Sequence, residues 1–338
     1  MKKSLIALAF GTLGLGIAEF VMMGILPDVA RDLGISIATA GHLISAYALG
    51  VCVGAPMLIL ARRYQLKYIL MFLVGVMMLG NVCAALSPNY WVMLVARFIS
   101  GLPHGAYFGV ASIVAEKLAD KGRGSEAVSI MIAGMTIANL FGVPLGTALS
   151  DSISWRLTFL LVGCWGVIIL YYMWRWVPRV ENLPDTGLRG QFRFLKSPAP
   201  WLILGATLLG NGGTFAWYSY VTPLLTNIAG FPARMITFLM VLAGFGMVVG
   251  NLAGGRLSDR FSPGRVAAFA QGMICVALLF IFFFAHISWL AVGLMCLCTA
   301  GLFAVSSPQQ VLLIRYSKGG EMLGAASVQV AFNLGNAI

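Results

Sequence analysis

The sequence is short of charge. Only 10% of its residues are charged and 11 of 338 are acidic, against about 25% charged in a typical soluble domain. Hydrophobic residues make up 60%, and apolar runs recur from end to end. This excludes an ordinary soluble domain and predicts an all-α, polytopic membrane protein. The chain has six cysteines, Cys52, Cys83, Cys164, Cys275, Cys296 and Cys298, all within apolar segments, so no disulfide framework is expected. Cys296 and Cys298 lack a nearby His or carboxylate, which makes them packing residues. No phosphate-cradling glycine loop, metal-ligand cluster or Ser/His/Asp arrangement is present. Primary pumping and enzymatic chemistry therefore have no footing, and no cofactor or metal is expected.

The charge that exists is unevenly placed. The formal net charge is +11, but the basic residues do not form a nucleic-acid patch. Of 22 Lys and Arg, 18 fall at the N-terminus or in alternate loops. The other loops hold only Arg31, Arg156 and Arg234, and Arg97 lies within a span. This bias is the positive-inside rule with a cytoplasmic N-terminus. Lys2-Lys3 before an apolar run resembles a secretory signal, but the run is too long and lacks a cleavage site. It reads as an uncleaved first span.

Windowed hydropathy marks eleven apolar segments: 5–27, 41–61, 68–86, 91–114, 125–149, 157–177, 199–223, 235–254, 266–285, 288–313 and 322–338. The longest polar stretch follows the sixth. It divides the chain into an N-terminal six-helix bundle (1–177), a cytoplasmic linker (178–198) and a C-terminal bundle (199–338). The bundles are copies. A shift of 196 residues lays Gly14, Gly16, Pro27, Gly34, Gly50 and Gly54 on Gly210, Gly212, Pro223, Gly230, Gly246 and Gly250. Six spans per copy return the chain to the same side, so the repeat is parallel. A repeat of this size predicts a chain of about twice its length, which places a twelfth span beyond the eleventh, where this sequence stops.

The first segment, Leu5–Pro27, carries one ionisable residue, Glu19. Counted back from Pro27, it lies about 12 Å inside the outer end. A carboxylate there costs on the order of 3 kcal/mol facing lipid, so it is expected to face a cavity or a partner. It is either a proton- or substrate-binding group or half of a structural ion pair.

After the eighth segment the chain reads Gly255-Arg-Leu-Ser-Asp259-Arg260-Phe-Ser-Pro-Gly-Arg265. This string resembles the loop signature of the major facilitator superfamily. The resemblance implies a gate in which Gly255 permits close helix approach and Asp259 holds an arginine or a helix N-terminus, with Arg260 and Arg265 beside them. The first-half loop, Leu60-Ala-Arg62-Arg63-Tyr-Gln-Leu-Lys67, departs from the signature. Arg62 stands where the aspartate belongs and Leu58 where the glycine belongs. Arg97-Phe-Ile-Ser-Gly-Leu-Pro-His104 in the fourth segment resembles the superfamily's arginine motif, which the family links to proton transfer. Arg97 lies about 10 Å below the outer surface, which predicts a Glu19–Arg97 pair or near-pair. Gly142, Pro144 and Gly146 resemble the antiporter motif of drug and sugar exporters, with Val143 and Thr147 departing from it. Trp155-Arg156 resembles an outer-loop element.

The resemblance covers the whole chain and implies two six-helix bundles, here cut within the eleventh helix. It implies an inner-membrane exporter of sugars or related small molecules, driven by proton entry through Glu19 and Arg97. Candidate substrate-cavity residues are His104, Asn139, Asn211, Trp217, Tyr218, Gln329 and Asn333, each with helix packing or interhelical hydrogen bonding as the plainer alternative. Gln309-Gln310 carries too little signal to use. The expected partners are a sugar or drug-like substrate, protons and the bilayer, with no nucleic acid, and the chain is expected to be a monomer. A proton-coupled multidrug exporter and a non-transporting sensor are the alternatives. Reporter fusions at Asn89 and Gly187 are expected to report opposite sides of the membrane; the same side for both overturns the span assignment.

Overall fold

A computed structural model describes residues 2–337; Ile338, the last residue of the expected eleventh segment, lies outside them. The described residues fold into eleven main helices: α1 Lys2–Asp32, α2 Ile37–Ala61, α3 Leu66–Ala85, α4 Tyr90–Lys117, α5 Gly124–Ser152, α6 Trp155–Trp176, α7 Pro198–Ser219, α8 Ala233–Phe261, α9 Pro263–Phe284, α10 Ser288–Tyr316 and α11 Glu321–Ala337. Nine of these are long and apolar enough to cross a membrane. The other two are α7, diluted by Asn211 and by Gly205, Gly210, Gly212 and Gly213, and α11, with 17 residues. Large apolar side chains point outward, among them Phe282, Leu209 and Phe269, as lipid-facing helices require.

Helix ends are set by local chemistry. α1 does not stop at Pro27, which lies inside it. It stops at a left-handed glycine, Gly34 (φ +63°), where the Ile35 N–H turns back to the Ala30 carbonyl at 3.0 Å. Ser36 then caps α2 by accepting from the Thr39 N–H at 3.0 Å. The repeat reproduces this turn. Gly230, 196 residues on, has φ +76°, and the Phe231 N–H reaches back to the Leu225 carbonyl at 3.0 Å. α5 is interrupted by a wide π turn at Ala138–Gly142.

Glycines bring helices together at matching places in both halves. In α2, Gly50 and Gly54 lie against the backbone of Phe98 and Leu102, and Gly101 of α4 lies against that of Tyr47. In α8, Gly246 and Gly250 lie against Cys296 and Ala300 of α10. A Cβ at these positions would meet backbone atoms. α3 and α6 pack on the outside of the first half, and α1 rests on α5 and α6. The halves meet along α5–α8, α2–α11 and α4–α11.

Polar contacts sort the loops into two ends. At one end the Ser4 hydroxyl donates to Trp176 O (2.7 Å), Lys117 Nζ to Glu181 O (2.8 Å), and the Arg315 Nε lies 3.6 Å from Glu116. At the other end Arg156 joins Asp32 (2.8 Å) and Ser87 O (2.6 Å), and His42 meets Tyr90 at 3.1 Å. The N-terminus, the linker and the loops rich in Lys and Arg thus share one end, as the charge pattern required. We expect Gly101→Val to push α2 from α4 and cost about 1–3 kcal/mol by overpacking. A lower thermal midpoint and monodisperse yield in detergent would register this; wild-type values for both would contradict the packing described.

Candidate functional site

α1, α2 and α4 bring four polar side chains into the interior of the first half. Arg97 is fully buried. Its Nη1 donates to the Ala18 carbonyl at 2.7 Å and its Nε to the Leu43 carbonyl at 3.3 Å. The guanidinium also lies 4.5 Å from the centroid of the Tyr47 ring and 5.5 Å from that of Phe159, positions where an aromatic face attracts a cation. Two backbone acceptors and two rings therefore replace the water that this charge would otherwise need.

Of the pair or near-pair expected for Glu19 and Arg97, the direct pair is absent: no Glu19–Arg97 ion pair forms within 4 Å among the described residues. Instead, Glu19 Oε2 lies 3.6 Å from His104 Nε2. His104 Nδ1 is hydrogen-bonded to the Tyr47 hydroxyl at 2.8 Å, and that hydroxyl lies 3.4 Å from the Leu15 carbonyl. The imidazole stacks on Phe108, with centroids 4.9 Å apart. Helix length sets this geometry. With α1 ending at Asp32, not Pro27, Glu19 lies about 20 Å in, level with His104 at about 21 Å from Tyr90 and two turns deeper than Arg97. Arg97 stays a near neighbour through Ala18, the residue before Glu19. Three buried atoms here have no hydrogen-bond partner among the described residues: Glu19 Oε2, His104 Nε2 and Arg97 Nη2. Such groups cost about 1–3 kcal/mol each when left unpaired.

The glycine string of α5 packs onto the Glu19 helix. Gly142 lies against Ile17, and Gly146 against Val21 and Thr158. Pro144 follows the π turn. Asn139, within that turn, donates to the Met135 carbonyl at 3.1 Å and is half-buried.

Between the halves lies a small cavity of about 20 Å³, room for roughly one water. Asn211 of α7 and Gln329 of α11 line it, joined by Thr207, Ser306, Gln309 and Gln310. Residue spacing did not single out the last four. Gln309 and Gln310 were legible only as a polar pair inside an apolar segment. The amide oxygens of Asn211, Gln310 and Gln329 are buried without a hydrogen-bond partner among the described residues. His104, Asn139, Trp217, Tyr218 and Asn333 do not line this cavity. Trp217 and Tyr218 pack into apolar clusters near Val221 and Leu225, and Asn333 donates to Gln329 O at 3.0 Å.

The C-terminal end of α8 clamps the other half. Asp259 accepts from the Ser125 and Glu126 N–H groups, each at 2.8 Å, and so caps the N-terminus of α5. Gly255 sits against Ser129, and Asn251 donates to Ser129 O at 2.7 Å. Of the basic residues here, Arg256 reaches Glu126, at 3.3 Å. Arg260 lies over the Phe261 ring and Arg265 is exposed, and neither pairs with an acid among the described residues.

The comparisons with known proteins agree with this geometry. The sequence profile of the Major Facilitator Superfamily matches residues 8–338. The chain is 50% identical, over all of its length and 86% of the relative's, to AraJ of Escherichia coli (strain K12), which is named as a transporter. It is 37% identical to the inner membrane transport protein YdhP of Escherichia coli (strain K12), over 99% of this chain and 86% of that one. A Helicobacter pylori protein named as a sugar efflux transporter is 26% identical over 98% of this chain and 84% of its own. Among solved structures, the transporter FucP in its outward conformation superposes with a TM-score of 0.74 at 18% identity, covering 98% of this chain and 89% of that one. The proton:xylose symporter XylE gives 0.75 at 14%, covering 99% and 86%. With its repeated bundles, its inter-half cavity and its Asp259 clamp, the chain belongs to the major facilitator superfamily, a family of multi-pass membrane transporters.

Proposed function

We propose that this protein exports neutral, hydroxyl-rich small molecules such as sugars across a bacterial inner membrane in exchange for protons. In this reading the bundles 1–177 and 199–338 rock about the central cavity. The linker 178–198 and the N-terminus lie in the cytoplasm, where the Lys and Arg residues collect.

The observation that carries the proposal is the Tyr47–His104–Glu19 line. The Tyr47 hydroxyl and His104 Nδ1 share a hydrogen bond at 2.8 Å, and the other ring nitrogen, Nε2, stands 3.6 Å from Glu19 Oε2, just beyond hydrogen-bonding distance. A small approach of the two would let a protonated Glu19 donate to Nε2, or Nε2–H donate to an ionised Glu19, with Nδ1 and the Tyr47 hydroxyl exchanging donor and acceptor roles. The two arrangements differ by one proton, held on Glu19 in the first. The site can thus load and release a proton after a short closing movement. Arg97 anchors α1 and α2 around it.

The cavity supports the choice of substrate. Its polar lining is amide and hydroxyl, with no acid or base among the described residues. Three unpaired amide oxygens are suited to accept from substrate hydroxyls. A cationic drug would call for a carboxylate there, which makes the multidrug exporter the second reading. At about 20 Å³ the cavity is too small for a sugar in this conformation, so substrate entry requires the halves to part.

Proteoliposomes with an imposed proton gradient test the assignment. Glu19→Gln is expected to abolish proton-driven efflux and leave some downhill exchange; efflux at the wild-type rate removes Glu19 from coupling. Tyr47→Phe loses one hydrogen bond, which predicts roughly tenfold slower driven efflux with exchange preserved. In a separate binding measurement, Gln329→Ala is expected to weaken sugar affinity by about tenfold while proton release on substrate addition persists. Unchanged sugar affinity in that variant would move the substrate site elsewhere.

A further inference from the structure

The two halves close unequally. In the second half, Asp259 in the last turn of α8 grips the start of α5. The 196-residue repeat maps α8 onto α2 and the start of α5 onto the start of α11. The matching clamp would need an aspartate near position 62 or 63, but arginines stand there. A guanidinium has no acceptor for the N–H groups of a helix start.

The missing carboxylate comes from the linker. Asp185 Oδ1 accepts from Arg62 Nε and Oδ2 from Arg63 Nε, each at 2.9 Å. The Gly187 N–H adds a third bond to Asp185 at 3.0 Å. The next residues of the linker hold the turn before α11. The Thr186 hydroxyl donates to the Gly319 carbonyl, and Gln191 Nε2 donates to the same carbonyl at 3.2 Å. Gly320 lies against the Gln191 backbone. Beneath these bonds Phe194 of the linker packs with Ile59 of α2 and Leu323 of α11 in a separate apolar cluster. One segment thus bridges the two elements that the absent clamp would have joined.

We propose that residues 185–194 form a latch that replaces the first-half gate, with Asp185 as its charged catch, and that it must release before the linker end opens. The inference rests on the reading of the chain as an alternating-access transporter. The hydrogen bond from Arg63, the Gly187 N–H and Arg62 hold the Asp185 carboxyl down to about 2. A lowered value means the charge is lost only as the pH falls through that range, so the catch stays ionised at physiological pH. The arginines are partly exposed, which limits each pair to a modest share of the closing energy.

The test uses the full chain in membrane vesicles with its six native cysteines replaced and one new cysteine at a time. Leu323→Cys reports on the latch and Ser129→Cys on the Asp259 clamp; both positions are buried in the closed form. Maleimide labelling is followed in Asp185→Asn and in Asp259→Asn. Asp185→Asn is expected to raise labelling at both probes by roughly fivefold. Reversing the charges, with Asp185→Arg beside Arg62→Asp and Arg63→Asp, is expected to restore protection. A rise at Leu323→Cys alone means that the linker frays without opening the gate, which overturns the proposal. So does no rise at either probe while Asp259→Asn opens both, with alternating access left standing. If Asp259→Asn also leaves both probes protected, the alternating-access reading itself falls.

Discussion

Arg97 gripping the carbonyls of Ala18 and Leu43 is the interaction on which the first half depends. It joins α4 to α1 and α2 in a single set of bonds. Ala18 precedes Glu19, and Leu43 lies one helical turn before Tyr47, so the guanidinium fixes the depth and rotation of both helices. His104, two turns along α4, then meets Glu19 on one side and Tyr47 on the other. A cation sealed in an apolar bundle must find acceptors. Here the backbone supplies them, and the carboxylate is left without a contact cation. A direct ion pair would favour the charged form of Glu19, whereas here the polar group that faces it is an imidazole 3.6 Å away.

The halves share a backbone plan but not a chemistry. Their glycine contacts and their left-handed turns at Gly34 and Gly230 coincide. Yet Phe215 and Ala243 stand where the first half has Glu19 and Tyr47, and α10 carries no charged residue before Arg315. The second half contributes amides to the cavity instead. Close packing conserves the frame because a side chain at Gly54 or Gly250 would strike backbone. Interior polar positions carry no such steric demand and are free to diverge between copies.

All direct polar contacts between the halves given by the described residues lie at the linker end, around Asp259, Glu126, Asn251 and Arg315. Glycines let the helices approach there: Gly255 against Ser129 and Gly109 against Ala326. The contacts of Asp259, Glu126 and Arg315 are partly exposed, where water competes for them, whereas the bond from Asn251 to Ser129 O is buried.

The amino-acid sequence by itself determined the class, the segment count, the parallel repeat, the sorting of loops between two ends and the singular position of Glu19. Each of these is written in a property local to the chain: hydropathy over about 20 residues, Lys and Arg bias, glycine spacing, or one acid in an apolar run. Tertiary structure alone decided the partners. Glu19 meets His104 because α1 runs one turn past Pro27 and ends at Gly34. Asp185 meets Arg62 and Arg63 because the linker folds back over the end of α2. Gln309 and Gln310 reach the cavity because α10 faces α7 and α11 at that depth. A hydrogen bond is made or lost over a few tenths of an ångström. Distances that fine are set by how helices end and how closely their glycines let them approach, and neither is written at any single position of the sequence.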